Sequence, residues 1–120
     1  MKRMRMLLPI ALAAAVAASP ARAPAQAGNF TIVNATNIDF TGLAVRRYGT
    51  SEWLPLTVSP SPLPVSGRGA AAFKDEDCAF DLRATLPDGR NVVWPGVNLC
   101  QVKVVKLNQK AGGALWVDYE

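Results

Sequence analysis

The two cysteines of the chain, Cys78 and Cys100, close the stretch CAFDLRATLPDGRNVVWPGVNLC at both ends. Three chemistries compete for them. A redox pair of the thioredoxin kind wants its cysteines two residues apart at the start of a helix, and neither condition holds. Zinc wants about four ligands, drawn mostly from cysteine and histidine, and the chain contains no histidine. The remaining chemistry is a structural disulfide. Closing a loop of about 22 residues is worth roughly 3 to 4 kcal/mol in the chain-entropy picture, a large share of a small domain's net stability.

The same lack of histidine bears on catalysis. A serine or cysteine nucleophile ordinarily needs a neighbouring base, and here the usual base is missing and both thiols are expected to be oxidised. Paired carboxylates are the surviving route, through glycosidic chemistry, with Asp75, Glu76, Asp77, Asp81 and Asp88 as the candidates. Asp75, Glu76 and Asp77 also carry the oxygen ligands calcium prefers. Their spacing, however, lacks the alternating loop and terminal glutamate of a calcium-binding hand, and adjacent acids before a strand read first as solvated turn residues. No enzyme activity, metal or other cofactor is therefore expected. Asn34-Ala35-Thr36 fits a glycosylation acceptor formally and reads as a strand-end turn.

Three tryptophans, Trp53, Trp94 and Trp116, are many for so small a chain. Some must seal the core. The sharper expectation places Trp53 or Trp94 on the surface, where an apolar patch can hold a protein or glycan partner. Trp94 precedes Pro95-Gly96, a break in its strand at which a side chain can be redirected outward. An open sheet edge offers a second mode, accepting a strand from elsewhere.

The N-terminus points to export. Lys2, Arg3 and Arg5 precede an apolar run from Met6 to Ala18, and small-x-small exits follow at Ala21-Arg22-Ala23 and Ala25-Gln26-Ala27. These are the parts of a secretory signal peptide, expected over residues 1–27. The run is shorter than the roughly 20 residues that span a bilayer, so no retained transmembrane anchor is expected. The leader also carries the charge. The whole chain has 13 basic and 9 acidic residues for a net +4, and removal of Lys2, Arg3, Arg5 and Arg22 leaves the two signs balanced. A neutral domain lacks the concentrated positive face that nucleic acid requires. Arg46-Arg47 is its only adjacent basic pair and reads as a solvated strand edge.

Residues 28–120 must then position whatever these groups do. They read as short strands between turn signals, with no helix. Phe30–Val33 and Thr41–Tyr48 are the first two strands, and Pro55 confines Trp53–Val58 to an edge. A proline-rich loop is expected at 59–69. Cys78, Phe80, Leu82, Ala84 and Leu86 share one parity against Ala79, Asp81, Arg83 and Thr85, the pattern of a half-buried strand. Pro87-Asp88-Gly89-Arg90 turns the chain, Asn91–Trp94 returns, and Val97–Leu107 and Ala114–Tyr119 complete the set. About seven strands without crossover helices predict a small antiparallel β-sandwich, immunoglobulin-like in general architecture. A small partly open β-barrel is the alternative.

The order of Asn29–Asn34, Leu43–Val45, Trp53, Cys78–Arg83, Asp88-Gly89 and Val97–Cys100 resembles a family of small exported bacterial proteins of uncharacterised function. The resemblance spans roughly Asn29 to Leu107, and its distinctive parts are the Cys-x-Phe-Asp-Leu-Arg and Val-Asn-Leu-Cys motifs. It implies a compact periplasmic or secreted β-domain and carries over no catalytic residue. The expectation is a non-enzymatic binding or envelope-associated module. A purely structural domain, a carboxylate hydrolase and a calcium-binding module are the alternatives. Intact-mass measurement of the exported protein is expected to show a start at Gly28, or at Pro24 for the upstream exit, and a mass lower by two hydrogens until reductant is added. Free thiols in the native sample would remove the disulfide reading.

Overall fold

The structure is a computed structural model that describes residues 25–120. Most of the expected leader, residues 1–24, lies outside the described residues. The described residues form nine strands: β1 (Phe30–Ala35), β2 (Gly42–Arg47), β3 (Leu54–Pro55), β4 (Thr57–Ser59), β5 (Arg68–Ala72), β6 (Ala79–Thr85), β7 (Asn91–Asn98), β8 (Val104–Gln109) and β9 (Leu115–Tyr119). They make two sheets, ordered β4-β5-β1-β8-β9 and β3-β2-β6-β7. The sheets pack face to face as a β-sandwich, and neither closes into a barrel. No helix among the described residues is long and apolar enough to cross a membrane.

Two features depart from the sequence expectation. The strand from Val97 to Leu107 is in fact two. β7 ends at Asn98 in the four-stranded sheet, and the chain crosses over Leu99–Lys103 before β8 begins in the other. Having crossed, β8 runs parallel to β1, with Ile32 opposite Val105 and Asn34 opposite Leu107. The five-stranded sheet is therefore mixed, not purely antiparallel.

The alternation along β6 holds. Phe80, Leu82 and Ala84 are buried between the sheets, as is Leu86 just beyond the strand. Ile32, Phe40, Leu63, Val97, Leu99, Val105 and Leu107 join them in one core. Cys78 and Cys100 form a disulfide at the open end of the β6–β7 hairpin, with Cα atoms 5.0 Å apart. Bonds of this kind persist in oxidising, non-cytoplasmic compartments. Ala27 belongs to the same corner. It is buried, exchanges backbone hydrogen bonds with Asp75 at 2.9 and 3.2 Å, and bridges Cys100.

Asn34 continues the inward parity of Phe30 and Ile32, so an amide enters the apolar interior. Every polar atom of it is used. Nδ2 donates to the carbonyls of Ile38 (2.8 Å) and Leu63 (3.1 Å), and Oδ1 accepts from the amide (3.1 Å) and hydroxyl (2.6 Å) of Thr36. Its backbone meets Ser66 and Gly67 as well. The Asn34-Ala35-Thr36 triplet is thus an internal polar joint, closed to a glycan. It also holds the proline-rich segment. Leu63 is buried and exchanges backbone hydrogen bonds with Phe40 at 2.8 and 2.9 Å, and Val65 N–H donates to Asp39 Oδ1. Replacing Asn34 by Ala removes all four of these bonds: the Thr36 amide loses its acceptor, and the Ile38 and Leu63 carbonyls keep one donor each, the Thr36 hydroxyl and the Phe40 N–H. The expected cost is roughly 2 to 4 kcal/mol, read by urea denaturation, with the exposed Asn37→Ala variant staying within about 0.5 kcal/mol of the parent.

Candidate functional site

The tryptophans divide differently from expectation. Trp94 is 1% exposed, so its expected place on a partner-binding surface is corrected: it is a core residue. The cause is the bulge next to it. Leu82 pairs with Trp94 and Phe80 with Val97, so Pro95 and Gly96 together face the single residue Asp81. Gly96 adopts φ 64°, a region open to glycine. The extra residue absorbs the odd spacing, and Trp94 and Val97 both point inward although they are three positions apart. The Trp94 ring meets Phe40 edge-on at 5.8 Å, and its Nε1 donates to the Asn108 carbonyl at 2.9 Å. Pro95 itself is exposed on the edge strand β7.

Trp53 is half-buried at the entrance to β3 and carries two cations. The guanidinium carbons of Arg46 and Arg83 lie 4.4 and 4.5 Å from its ring centroid, within cation–π range. Arg46 Nε also donates to Asp81 Oδ2 at 2.8 Å, and the other Asp81 oxygen accepts from Gly96 N–H at 3.0 Å. Asp81 is only 3% exposed although it sits on the outward parity of β6. Arginine and bulge amide together compensate its burial. Arg46 is thereby engaged on both sides, and Arg46-Arg47 is not a free basic edge.

Beside this cluster the sheets part at the β2–β3 corner. Val45, Leu54, Phe73 and Phe80 floor a cavity of about 250 Å³ that opens to solvent. Phe73 stands edge-on to Phe80 at 5.0 Å and to Phe30 at 6.4 Å, so the floor is anchored in the core. Leu54, by contrast, is 54% exposed, because β3 is a two-residue strand at the edge of its sheet with no described strand beyond it. Arg46, Arg47, Glu52 and Asp75 form the rim.

The acidic run supplies part of that rim. Arg47 reaches Asp75 Oδ1 with Nη2 at 3.0 Å and Asp77 Oδ2 with Nε at 3.1 Å. Asp75 also accepts the Asp77 amide at 2.9 Å. Two of the three candidate calcium ligands, Asp75 and Asp77, are thus turned toward a guanidinium. No group of three His, Cys, Asp or Glu side chains is placed to hold a metal ion among the described residues. Burial alone would push the Asp75 carboxyl up, but the Asp77 amide and the Arg47 guanidinium outweigh it and hold the group below its ordinary value. Arg47 is correspondingly raised, chiefly by its hydrogen bond to Asp75.

The sequence reading missed this cavity because its floor comes from residues far apart in the chain, three of them in strands and Phe73 just beyond β5. It also left Trp116 without a place. Trp116 is the most exposed of the three tryptophans, at 40%, on β9. Comparison of the chain with protein-family models, curated proteins and solved structures finds no match.

Because the Asp75 carboxyl is lowered on folding, the stability it contributes is present above the ordinary value of 3.8 and is lost as pH falls through the lower folded value. Asp75→Asn is expected to lower stability at neutral pH by on the order of 1 kcal/mol and to reduce the further loss on acidification. Urea midpoints of both proteins at neutral and acid pH check this, and an equal acid loss in the two would contradict it.

Proposed function

We propose that this chain is an exported, non-enzymatic binding module, released from its leader into the periplasm or the medium, that seats an apolar group of a partner in the β2–β3 corner cavity. One observation carries the reading. Val45, Leu54, Phe73 and Phe80 line a cavity that the described residues leave open, with Leu54 its most exposed wall, and apolar concavities with a few placed polar groups are where ligands bind.

The rim indicates how such a partner is oriented. Arg47 is paired with Asp75 and Asp77, and Arg46 with Asp81, so with Glu52 the rim carries more acidic than basic groups. An apolar floor of this kind favours a protein side chain over a glycan. The disulfide supports the exported half of the reading, as does the basic, apolar, small-residue order of the N-terminus. The resemblance to small exported bacterial β-domains is part of the same proposal. The burial of Ala27 against Asp75 and Cys100 supports a leader cut upstream of it.

The probe for the cavity is anilinonaphthalene sulfonate, an aromatic anion whose fluorescence rises in apolar surroundings. The folded protein is expected to bind it saturably. Leu54→Glu, a change at an exposed edge position, is expected to abolish the signal, whereas Val65→Glu on the proline-rich segment leaves it intact. No fluorescence gain with the native protein, or equal loss in both variants, would refute the cavity as a binding seat.

A further inference from the structure

Two sheets have four edges, and three of them are blunted. β3 is two residues long and contains Pro55. β4 is three residues long and runs directly into Pro60. β7 carries the bulge and Pro95, which has no N–H to offer, and its Asn98 N–H is already taken by the Tyr119 hydroxyl at 2.9 Å. Proline, shortness and bulges are the usual protections of an edge. β9 has none of them. It runs Leu115-Trp116-Val117-Asp118-Tyr119, pairs among the described residues only with β8, and exposes Trp116 and, at 44%, Tyr119.

The phase of the β8–β9 ladder fixes what this edge presents. Val104 and Glu120 exchange hydrogen bonds at 3.0 and 3.1 Å, and Lys110 N–H donates to the Ala114 carbonyl at 2.8 Å. Antiparallel pairs alternate between bonded and non-bonded. With Lys106 opposite Asp118 and Asn108 opposite Trp116, the even-numbered residues of β9 turn their backbone groups toward β8. Leu115, Val117 and Tyr119 turn theirs outward. The side chains of Leu115 and Val117 pack on the core, while Trp116 and Asp118 lie on the outer face.

We propose that β9 pairs antiparallel with β9 of a second copy of this chain about a two-fold axis at Val117, joining two five-stranded sheets into one. The sequence of β9 complements itself in this register. Leu115 meets Tyr119 of the second copy, Val117 meets Val117, and each of these pairs exchanges two backbone hydrogen bonds. On the outer face Trp116 stands opposite Asp118 of the second copy. Its indole Nε1 already lies 3.3 Å from the Asp118 carboxylate of its own chain, which also accepts from Asn108, so an indole–carboxylate contact suits this face. No like charges face each other across the axis. A one-residue slip would turn the core-facing Leu115 and Val117 against the outer face. Pairing also covers the groove of about 300 Å³ between β7 and β9, lined by Trp94, Pro95, Leu115, Val117 and Tyr119. This edge lies across the sandwich from the corner cavity, so the inference stands apart from the proposed binding function.

Molar mass of the leader-free protein by sedimentation, across a concentration series, tests the pairing. The parent is expected to be a dimer. Trp116→Asp places a carboxylate opposite Asp118 of the second copy and is expected to weaken association roughly tenfold or more, whereas Trp116→Lys retains it. A merely structural role for Trp116 would not separate the two signs of charge. The double variant Trp116→Cys with Asp118→Cys tests register directly. In this register Trp116 and Asp118 of the second copy form a non-bonded pair, with Cα atoms about 4.5 Å apart and the side chains at their closest, within disulfide reach, so this double variant is expected to give a covalent dimer without reductant. A parent that stays monomeric, Asp and Lys variants that weaken association equally, open-ended oligomers, or no cross-link in the double cysteine variant would overturn the proposal.

Discussion

The amide of Asn34 is the constraint on which the arrangement of this domain turns. It sits at the inward position of β1 where an apolar residue would ordinarily go, and its four hydrogen bonds reach the turn after β1 and the proline-rich segment. A buried amide is tolerable only when all its partners are present. The proline-rich segment must therefore lie where Leu63 can present its carbonyl, and that placement delivers the Leu63 side chain to the core beside Phe40. Gly69 records the tightness of the fit, since a Cβ there would stand 2.5 Å from Val58. A stretch with prolines on an irregular path is thus an integral wall of the sandwich.

Much of the fold was legible where the physics is local. Period-two alternation from Phe80 to Leu86 placed β6 and its buried face, and Pro87–Arg90 placed the turn after it. The cysteines were readable by elimination, because the competing chemistries need histidine or a closer spacing. What could not be read depends on partners distant in sequence. Trp94 next to Pro95-Gly96 read as a side chain at a break. The bulge against Asp81 keeps it inward, and nothing in the residues 94–96 announces the presence of Asp81 across the ladder. The continuous run from Val97 to Leu107 read as one strand because apolar periodicity does not reveal a change of sheet. The floor of the corner cavity was invisible for the same reason. Trp116 and Asn34 had signals that pointed the other way, a tryptophan suited to a core and an asparagine suited to a turn.

Charge in this domain is organised in small neutral sets. Arg46 with Asp81, Arg47 with Asp75 and Asp77, Arg90 with Asp88, and Lys106 with Glu120 pair four of the nine basic residues among the described residues. Exposed pairs of this kind contribute little stability each. Their larger effect is on the surface potential, which they flatten, leaving apolar features as the distinguishing surface. Those features gather on opposite sides of the sandwich, at the β2–β3 corner and along β9.

The parallel pairing of β1 with β8 has a consequence for the order in which the domain is assembled. Whenever the chain is delivered N-terminus first, β1 emerges among the earliest strands, and β5 can cover one of its edges. The other edge has its partner in Val104–Asn108, close to the end of the chain. Until that segment arrives, Ile32 and Val33 sit in a strand with an open ladder, and contacts of such long sequence separation form slowly. The domain therefore gains little by folding in stages: its central sheet closes late and as a unit, and a carrier that keeps the chain extended through delivery would suit it better than early local folding.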